Sequence, residues 1–171
     1  MAKRVLVAYA SKYGATAQIA ERIGEVLRNS GLDVEVQPAN RVKDLSPYAA
    51  VVLGSAVYAG SWLKPAADLL RANERALAER PVWLFSSGPT GEGDPAELLK
   101  GWRFPQALQP VADRIRPRDI AVFRGAIDMA RLSFPERLLV RGIKAAVGDF
   151  RDWDAIAAWA AGIAAAVAQD S

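Results

Sequence analysis

The sequence predicts one α/β domain over residues 1–171, a three-layer sandwich in which a five-stranded parallel sheet lies between two layers of helices. Short apolar runs alternate with segments of helical periodicity, which is the pattern of βαβ units. The apolar runs are nearly continuous, as in strands that are covered on both faces. Right-handed crossovers and a first βα loop rich in Ser, Gly and Thr then favour the strand order 2-1-3-4-5.

The predicted elements follow one another as βαβ units require. Arg4–Ala10 is an apolar run typical of a buried strand. In the helix predicted over 15–29, Ile19, Ile23 and Leu27 recur at helical spacing, and Gly31 follows its end. The other predicted strands are 34–36, 49–55, 81–86 and 120–126, and the other predicted helices are 62–77, about 105–115, one that begins near 134, and 152–168.

The composition excludes several kinds of chemistry. The chain has no cysteine and no histidine. Disulfides, thiolate catalysis and iron–sulfur ligation are therefore excluded, and the commonest general base and metal ligand is missing. We predict no metal site, assign no catalytic residue, and expect any redox chemistry to come from a bound organic cofactor.

No segment predicts a signal peptide or a membrane span. The apolar run after the basic start ends at Ser11 and Lys12, too early for a signal peptide. The uncharged stretch 155–168 is shorter than the ~20 residues that a membrane span requires. We therefore expect a cytoplasmic protein.

Positive charge is concentrated in residues 100–144, which carry ten basic and four acidic side chains. In the helix that begins near 134, Arg137, Arg141 and Lys144 recur at helical spacing behind a Ser-x-x-Glu capping box. Two interpretations remain open: a surface helix with its apolar face on the sheet, or transient docking on an anionic membrane at the inner membrane face. Nucleic-acid binding is not predicted, because no recognition motif accompanies the charge.

The first βα loop, residues 11–16, has the composition of a phosphate-binding loop. Gly14 permits a tight turn, and the helix that follows offers unpaired N–H groups to an anion. Ser11 and Thr16 add hydroxyl donors. The loop has neither the G-x-G-x-x-G pattern of a dinucleotide site nor the ending of a Walker A loop. Simple capping of the helix by Ser or Thr is the alternative.

A second loop, predicted over residues 54–62, suits a flat ligand. It contains two glycines and two large aromatic residues within nine positions. Tyr58 is the favoured contact to such a ligand, whereas Trp62 is equally compatible with a place in the core.

A third loop, predicted over residues 86–94, follows the next strand. Ser87 and Gly88 could bring backbone N–H groups to the edge of a planar heterocycle. We interpret the acidic Glu92 and Asp94 as ordinary surface residues.

These loops carry a resemblance to a known family. The segment V-x-Y-A-S-K-Y-G-A-T resembles the loop with which flavodoxins bind the phosphate of flavin mononucleotide (FMN), whose pattern is T/S-x-T-G-x-T. Ser11, Gly14 and Thr16 match this pattern, whereas Tyr13 replaces the middle threonine and removes the threonine hydroxyl as a donor to the phosphate. The segment G-S-x-V-Y-x-G at 54–60 is similar to the second flavin loop of flavodoxins and related quinone reductases.

The resemblance, which covers nearly the whole chain, implies a flavodoxin-like fold and FMN as the cofactor. The first loop would then hold the phosphate, and the second and third loops would hold the ring. The predicted cofactor-binding residues are Ser11, Lys12, Tyr13, Gly14, Ala15, Thr16, Ala56, Val57, Tyr58, Ala59, Gly60, Ser87 and Gly88.

Within this superfamily the chain looks closest to the short flavodoxin-type bacterial protoporphyrinogen oxidases, which pass electrons to quinones. The resemblance lies in segments 121–126, 134–139 and 148–153. It implies an FMN-dependent oxidoreductase that acts on a porphyrinogen and a quinone. Two alternatives stay open: a one-electron carrier, although carriers of that kind are typically acidic and this chain has a pI of about 9.4, and a flavin-less binding module.

Overall fold

The computed structural model describes residues 3–88, 102–127, 129–142 and 148–169. The strands of its central sheet are β1 (Arg4–Ala10), β2 (Asp33–Pro38), β3 (Ala50–Tyr58), β4 (Ser61–Trp62), β5 (Val82–Ser87) and β6 (Asp119–Phe123). Five of them are parallel and lie in the order β2-β1-β3-β5-β6, and the short β4 pairs with β3 in the antiparallel direction. Without β4 in the count, this is the predicted order 2-1-3-4-5.

Helices cover both faces of this sheet, as predicted. In chain order they are α1 (Ala15–Asn29), α2 (Lys64–Ala72), α3 (Glu74–Ala78), α4 (Gln109–Ile115), α5 (Phe134–Gly142) and α6 (Trp153–Gln169). A separate antiparallel pair, β7 (Ala126–Ile127) and β8 (Gly148–Asp149), lies beyond the end of β6. None of the described helices is both long and apolar enough to cross a bilayer.

Alternate side chains of each buried strand enter two separate cores. On β1, Val5 and Val7 pack with residues of α1 and α6, whereas Leu6 and Ala8 pack with residues of α2, α3 and α4. These four side chains are fully buried. Because a strand alternates its side chains between two faces, a continuous apolar run is what a covered strand requires.

The region after β3 differs from the prediction. β3 extends to Tyr58 and turns back through Ala59 and Gly60 into β4, so the predicted second loop is mostly a hairpin. Trp62 belongs to β4 and not to the helix predicted over 62–77, which begins at Lys64 and is interrupted at Asn73.

The strand predicted over 120–126 ends earlier, at Phe123. A Cβ atom on Gly125 would lie 3.3 Å from the backbone of Gly88, so the chain after β6 passes directly over the end of β5. Ala126 then pairs with Asp149 of β8, and the carbonyl of Gly125 accepts a hydrogen bond of 3.1 Å from the N–H of Phe150.

Candidate functional site

The three predicted loops leave neighbouring strands at the same edge of the sheet. Ala10 at the end of β1 is in register with Ser55 of β3, and Ala56 is in register with Ser87 at the end of β5. The carboxyl ends of parallel strands in an open α/β sheet form the usual ligand-binding edge. The fold therefore brings the three loops together.

The first loop leaves the N-terminus of α1 open. Gly14 has a φ of 94°, in the left-handed region that favours glycine, and its N–H donates to the hydroxyl of Ser11 over 3.0 Å. No described side chain caps α1, and its first turn contains no acidic residue. Capping by Ser11 or Thr16 is thus not observed. The first amides of a helix have no partner within the helix, and such amides bind anions in many α/β proteins.

The second loop presents Tyr58 to the surface. Ala59 and Gly60 have φ values of 51° and 77°, as in the two-residue turn of a tight hairpin. The side chain of Tyr58 is 41% exposed, whereas Trp62 is 6% exposed and donates its indole N–H to the hydroxyl of Ser86 over 2.8 Å. Trp62 is therefore a core residue, and Tyr58 is the aromatic ring available to a ligand.

The third loop begins in contact with the second. A Cβ atom on Gly88 would lie 3.4 Å from Cβ of Val57, and the N–H of Gly88 donates to the carbonyl of Phe123 over 3.3 Å. Ser87 and Ala56 are buried. The rest of the predicted third loop, with Glu92 and Asp94, lies outside the described residues.

Lys12 connects the first loop with the second loop and with α5. Its ammonium nitrogen lies 5.3 Å and 5.6 Å from the ring centroids of Tyr13 and Tyr58, and 2.9 Å from a carboxylate oxygen of Glu136. The hydrogen bond to Glu136 raises the pKa of Lys12. The same bond, with a further one from the Ser133 N–H, lowers the pKa of Glu136. Both groups are therefore charged at neutral pH.

The pKa of Tyr58 is subject to two opposite effects: burial raises it, and the Lys12 cation lowers it.

A cleft of about 590 Å³ lies against the first loop, between Tyr13, Arg131 and Arg151. The guanidinium group of Arg131 donates to the carbonyl of Tyr13. The hydroxyl of Tyr13 is buried and has no hydrogen-bond partner among the described residues. A volume of roughly 300–1,000 Å³ is typical of small-molecule sites. The cleft therefore provides space and positive charge beside the first loop.

Arg151 holds the first turn of α1 in place. Its side chain is only 10% exposed, and it pairs with both carboxylate oxygens of Asp149 at 2.9 and 2.6 Å. It also donates to the carbonyl of Ala15, over 3.2 Å, and to the side chain of Gln18. The pairing with Arg151 lowers the pKa of Asp149.

Sequence reasoning did not assign Arg131, Glu136 or Arg151 to the site. Arg151 lies 136 residues from Ala15, and Glu136 lies 124 residues from Lys12. No local pattern predicts such contacts. The accumulation of basic residues between 100 and 144 was a signal for Arg131, and segments 134–139 and 148–153, which contain Glu136 and Arg151, were singled out only by resemblance.

The helix α5 has the predicted capping box. The N–H of Ser133 donates to Glu136 over 3.0 Å, and the N–H of Glu136 donates to the Ser133 hydroxyl over 3.4 Å. Phe134 and Leu138, one helical turn apart, are 70% and 52% exposed. These two apolar side chains are therefore exposed and do not belong to an apolar face that packs on the sheet.

Of the predicted basic stripe, the structure describes two members. Arg137 is half-buried, and its Nε donates to the carbonyl of Met129 over 2.8 Å. Arg141 is exposed. Lys144 lies outside the described residues.

Among the residues that are described, no three acidic side chains come together in a group that could bind a metal ion.

An open parallel sheet with loops at its carboxyl edge and an uncapped helix N-terminus is an arrangement in which α/β proteins commonly bind phosphate groups. Residues 6–154 match the sequence profile of the flavodoxin domain, and the chain belongs to this family. Flavodoxins bind FMN. No curated protein sequence matches the chain at a significant level.

Solved structures show the same fold. A flavodoxin from the domain Archaea is 15% identical over 97% of this chain and 99% of its own, with a TM-score of 0.63. A flavodoxin from Streptococcus pneumonia TIGR4 is 16% identical over 95% and 99%, with a TM-score of 0.60. The Flv1 flavodiiron core from Synechocystis sp. PCC6803 has a TM-score of 0.67 at 15% identity, and the match covers 99% of this chain but 37% of that protein.

Proposed function

We propose that this chain is an FMN-dependent oxidoreductase that holds FMN in the three loops at the carboxyl edge of its sheet. The observation that carries this proposal is the uncapped N-terminus of α1 behind Gly14, in a chain of the flavodoxin family. The helix dipole and the unpaired amides favour an anion there, and the FMN phosphate is such an anion.

The residues of the three loops fit a phosphate and a flat ring. The buried hydroxyl of Tyr13 could donate a hydrogen bond to an acceptor atom of the ligand. Such a bond would remove the energetic cost of a buried hydroxyl without a partner. The exposed ring of Tyr58 is available to cover one face of the flavin. The phosphate would lie on Ser11, Gly14, Ala15 and Thr16, and Lys12 and Tyr13 of the same loop would also contact the cofactor. The ring would lie on Ala56, Val57, Tyr58, Ala59, Gly60, Ser87 and Gly88.

FMN supplies the redox chemistry, because its ring accepts a hydride or single electrons. The contribution of this chain is to bind the cofactor, orient it and set its reduction potential. The sequence provides no imidazole and no thiol for proton transfer. We therefore assign no catalytic side chain.

A quinone is the proposed electron acceptor, and a protoporphyrinogen is the proposed donor. The similarity of three segments to short flavodoxin-type protoporphyrinogen oxidases supports this assignment. The excess positive charge between residues 100 and 144 would attract the carboxylates of such a donor.

Docking of α5 on an anionic membrane would bring the protein to a membrane-bound quinone. Phe134 and Leu138 are exposed on this helix beside the exposed Arg141. Apolar and basic side chains on one surface helix are typical of peripheral membrane contact, in which each basic residue contributes about 1 kcal/mol. The half-buried Arg137 borders this surface.

A one-electron carrier is the second candidate, and the two flavodoxins among the structural neighbours favour it. Reduced, FMN-loaded protein can be mixed under anaerobic conditions with a water-soluble quinone or with an oxidised soluble electron-transfer protein. The proposal predicts rapid reduction of the quinone, with one quinone reduced to the quinol for each reduced FMN that is oxidised. Rapid exchange with the soluble protein and no quinone reduction would establish the carrier instead, and a chain that takes up no FMN would be the flavin-less module.

A further inference from the structure

The position of the Lys12 cation bears on the redox properties of the proposed site. Its ammonium nitrogen is 5.6 Å from the ring centroid of Tyr58, the residue placed against the flavin in the proposed function. Glu136 holds it there through the 2.9 Å ion pair, and the two side chains are 51% and 27% exposed. One cation and its partner carboxylate therefore lie beside the Tyr58 ring.

We propose that Lys12 raises the reduction potential of the bound flavin, and that Glu136 is a positioning residue that holds Lys12 and partly neutralises it. The inference rests on the proposed function. Two electrons and one proton, supplied by a reduced donor, add one negative charge to a flavin. A nearby cation stabilises that charge, and a nearby carboxylate opposes it.

The two partners carry opposite charges, so their removal has opposite effects. Lys12→Gln leaves Glu136 alone beside the site and lowers the potential. Glu136→Gln leaves Lys12 without its counter-charge and raises the potential. Arg131, whose guanidinium contacts the carbonyl of Tyr13, and Arg151, which contacts the carbonyl of Ala15, are further cations near the first loop, and both are unchanged in the two variants.

The experiment measures the midpoint potential of FMN-loaded wild-type protein, Lys12→Gln, Lys12→Arg and Glu136→Gln, in equilibrium with mediator dyes. The expected change is about tenfold in the ratio of affinities for reduced and oxidised FMN, which is about 30 mV for a two-electron couple. Lys12→Arg should keep the wild-type potential. The affinity of each variant for oxidised FMN is measured in parallel.

Arg75→Gln and Glu79→Gln are the matched controls. These two side chains form an exposed pair at 4.0 Å, at the end of α3 that precedes β5 and so at the opposite edge of the sheet. Neither control should change the potential. The proposal is overturned if Lys12→Gln keeps the wild-type potential, if both site variants shift it in the same direction, or if Lys12→Gln weakens both oxidation states equally, as a simple phosphate ligand would.

A second measurement needs no flavin and separates this inference from the proposed function. The Lys12 cation lowers the pKa of Tyr58, so Lys12→Gln should raise that pKa in an ultraviolet titration of the flavin-free chain. The Tyr58→Phe variant identifies the transition. If FMN binds but the Tyr58 pKa does not change in Lys12→Gln, the inference is contradicted while the proposed function stands. If the pKa shifts but the chain binds no FMN, the proposed function is contradicted, and the redox role of Lys12 is contradicted with it.

Discussion

Phe85 lies across Gly54, its register partner on the neighbouring strand, so that a Cβ atom on Gly54 would fall 2.1 Å from Cζ of Phe85. Phe85 is fully buried and packs against Phe123 and Trp159, with ring centroids 5.9 and 6.0 Å away. The ring cannot move without displacing these neighbours. A glycine at position 54 is therefore required by the core and not by the ligand loop that follows it.

Gly54→Ala should destabilise the fold by about 1–3 kcal/mol, the usual cost of overpacking a core. Urea unfolding measures this difference. The control is Gly162→Ala on the exposed side of α6, where no atom lies within 4 Å of the added Cβ. Because alanine is a better helix former, that variant should be as stable as wild type or up to about 1 kcal/mol more stable. Unchanged stability of Gly54→Ala would show that Phe85 has room to move.

Gly14→Ala should weaken FMN binding at least tenfold. Its φ of 94° disfavours any side chain, and the new Cβ would lie 3.1 Å from a guanidinium nitrogen of Arg131. Gly31→Ala is the control. Gly31 has a φ of 92°, and an added Cβ would have no neighbour within 4 Å. This variant therefore introduces the same backbone strain, roughly 1–2 kcal/mol, at a position away from the site. Both variants should lose stability, and only Gly14→Ala should lose FMN affinity. An equal effect of both variants on FMN affinity would rule out a specific role for the first loop.

Tyr58→Ala should weaken FMN binding and shift the flavin potential while the chain remains folded. Aromatic stacking contributes about 0.5–1.5 kcal/mol beyond the buried area, which corresponds to about a 2- to 13-fold loss of affinity. Tyr58→Phe keeps the ring and should bind FMN like wild type. Fluorescence titration of FMN measures both affinities. If the alanine variant matched wild type in affinity and potential, Tyr58 would not be the partner of the ring.

Arg137→Glu with Arg141→Glu should abolish binding to anionic vesicles while the FMN content stays unchanged. Wild-type binding should weaken with salt, since the Debye length is about 8 Å at physiological ionic strength. Leu138→Ser should weaken binding independently of charge, because this exposed side chain would enter the interface. The reference variant is Arg71→Glu with Arg75→Glu on α2 and α3. If the wild-type protein does not bind anionic vesicles at low salt, the membrane-docking role of α5 is contradicted, and α5 is an ordinary surface helix.

Local sequence patterns were sufficient for the elements of the first βα unit. β1 and α1 have the predicted bounds, Arg4–Ala10 and Ala15–Asn29, because a buried apolar run and an amphipathic repeat are complete within each segment. The capping box of α5 was predicted for the same reason. Its two partners, Ser133 and Glu136, are three residues apart.

The strand order was predicted, but several other features that depend on distant residues were not. Trp62 fits a helical repeat in sequence, but the strand pairing of Val57 with Trp62 and the hydrogen bond to Ser86 determine its place. The end of β6 depends on the close approach of Gly125 to Gly88. At the candidate site, the loop residues were predicted from composition and from the resemblance to flavodoxin loops, whereas the Lys12–Glu136 contact requires the whole fold.

The most direct test of the account compares the affinities of the purified chain for FMN and riboflavin, which differ by the phosphate alone. The first loop and the free amides of α1 are assigned to that phosphate. One charge-assisted hydrogen bond contributes about 1.5–3 kcal/mol, so FMN should bind at least tenfold more tightly than riboflavin. Equal affinity for the two flavins would contradict the assignment of this loop.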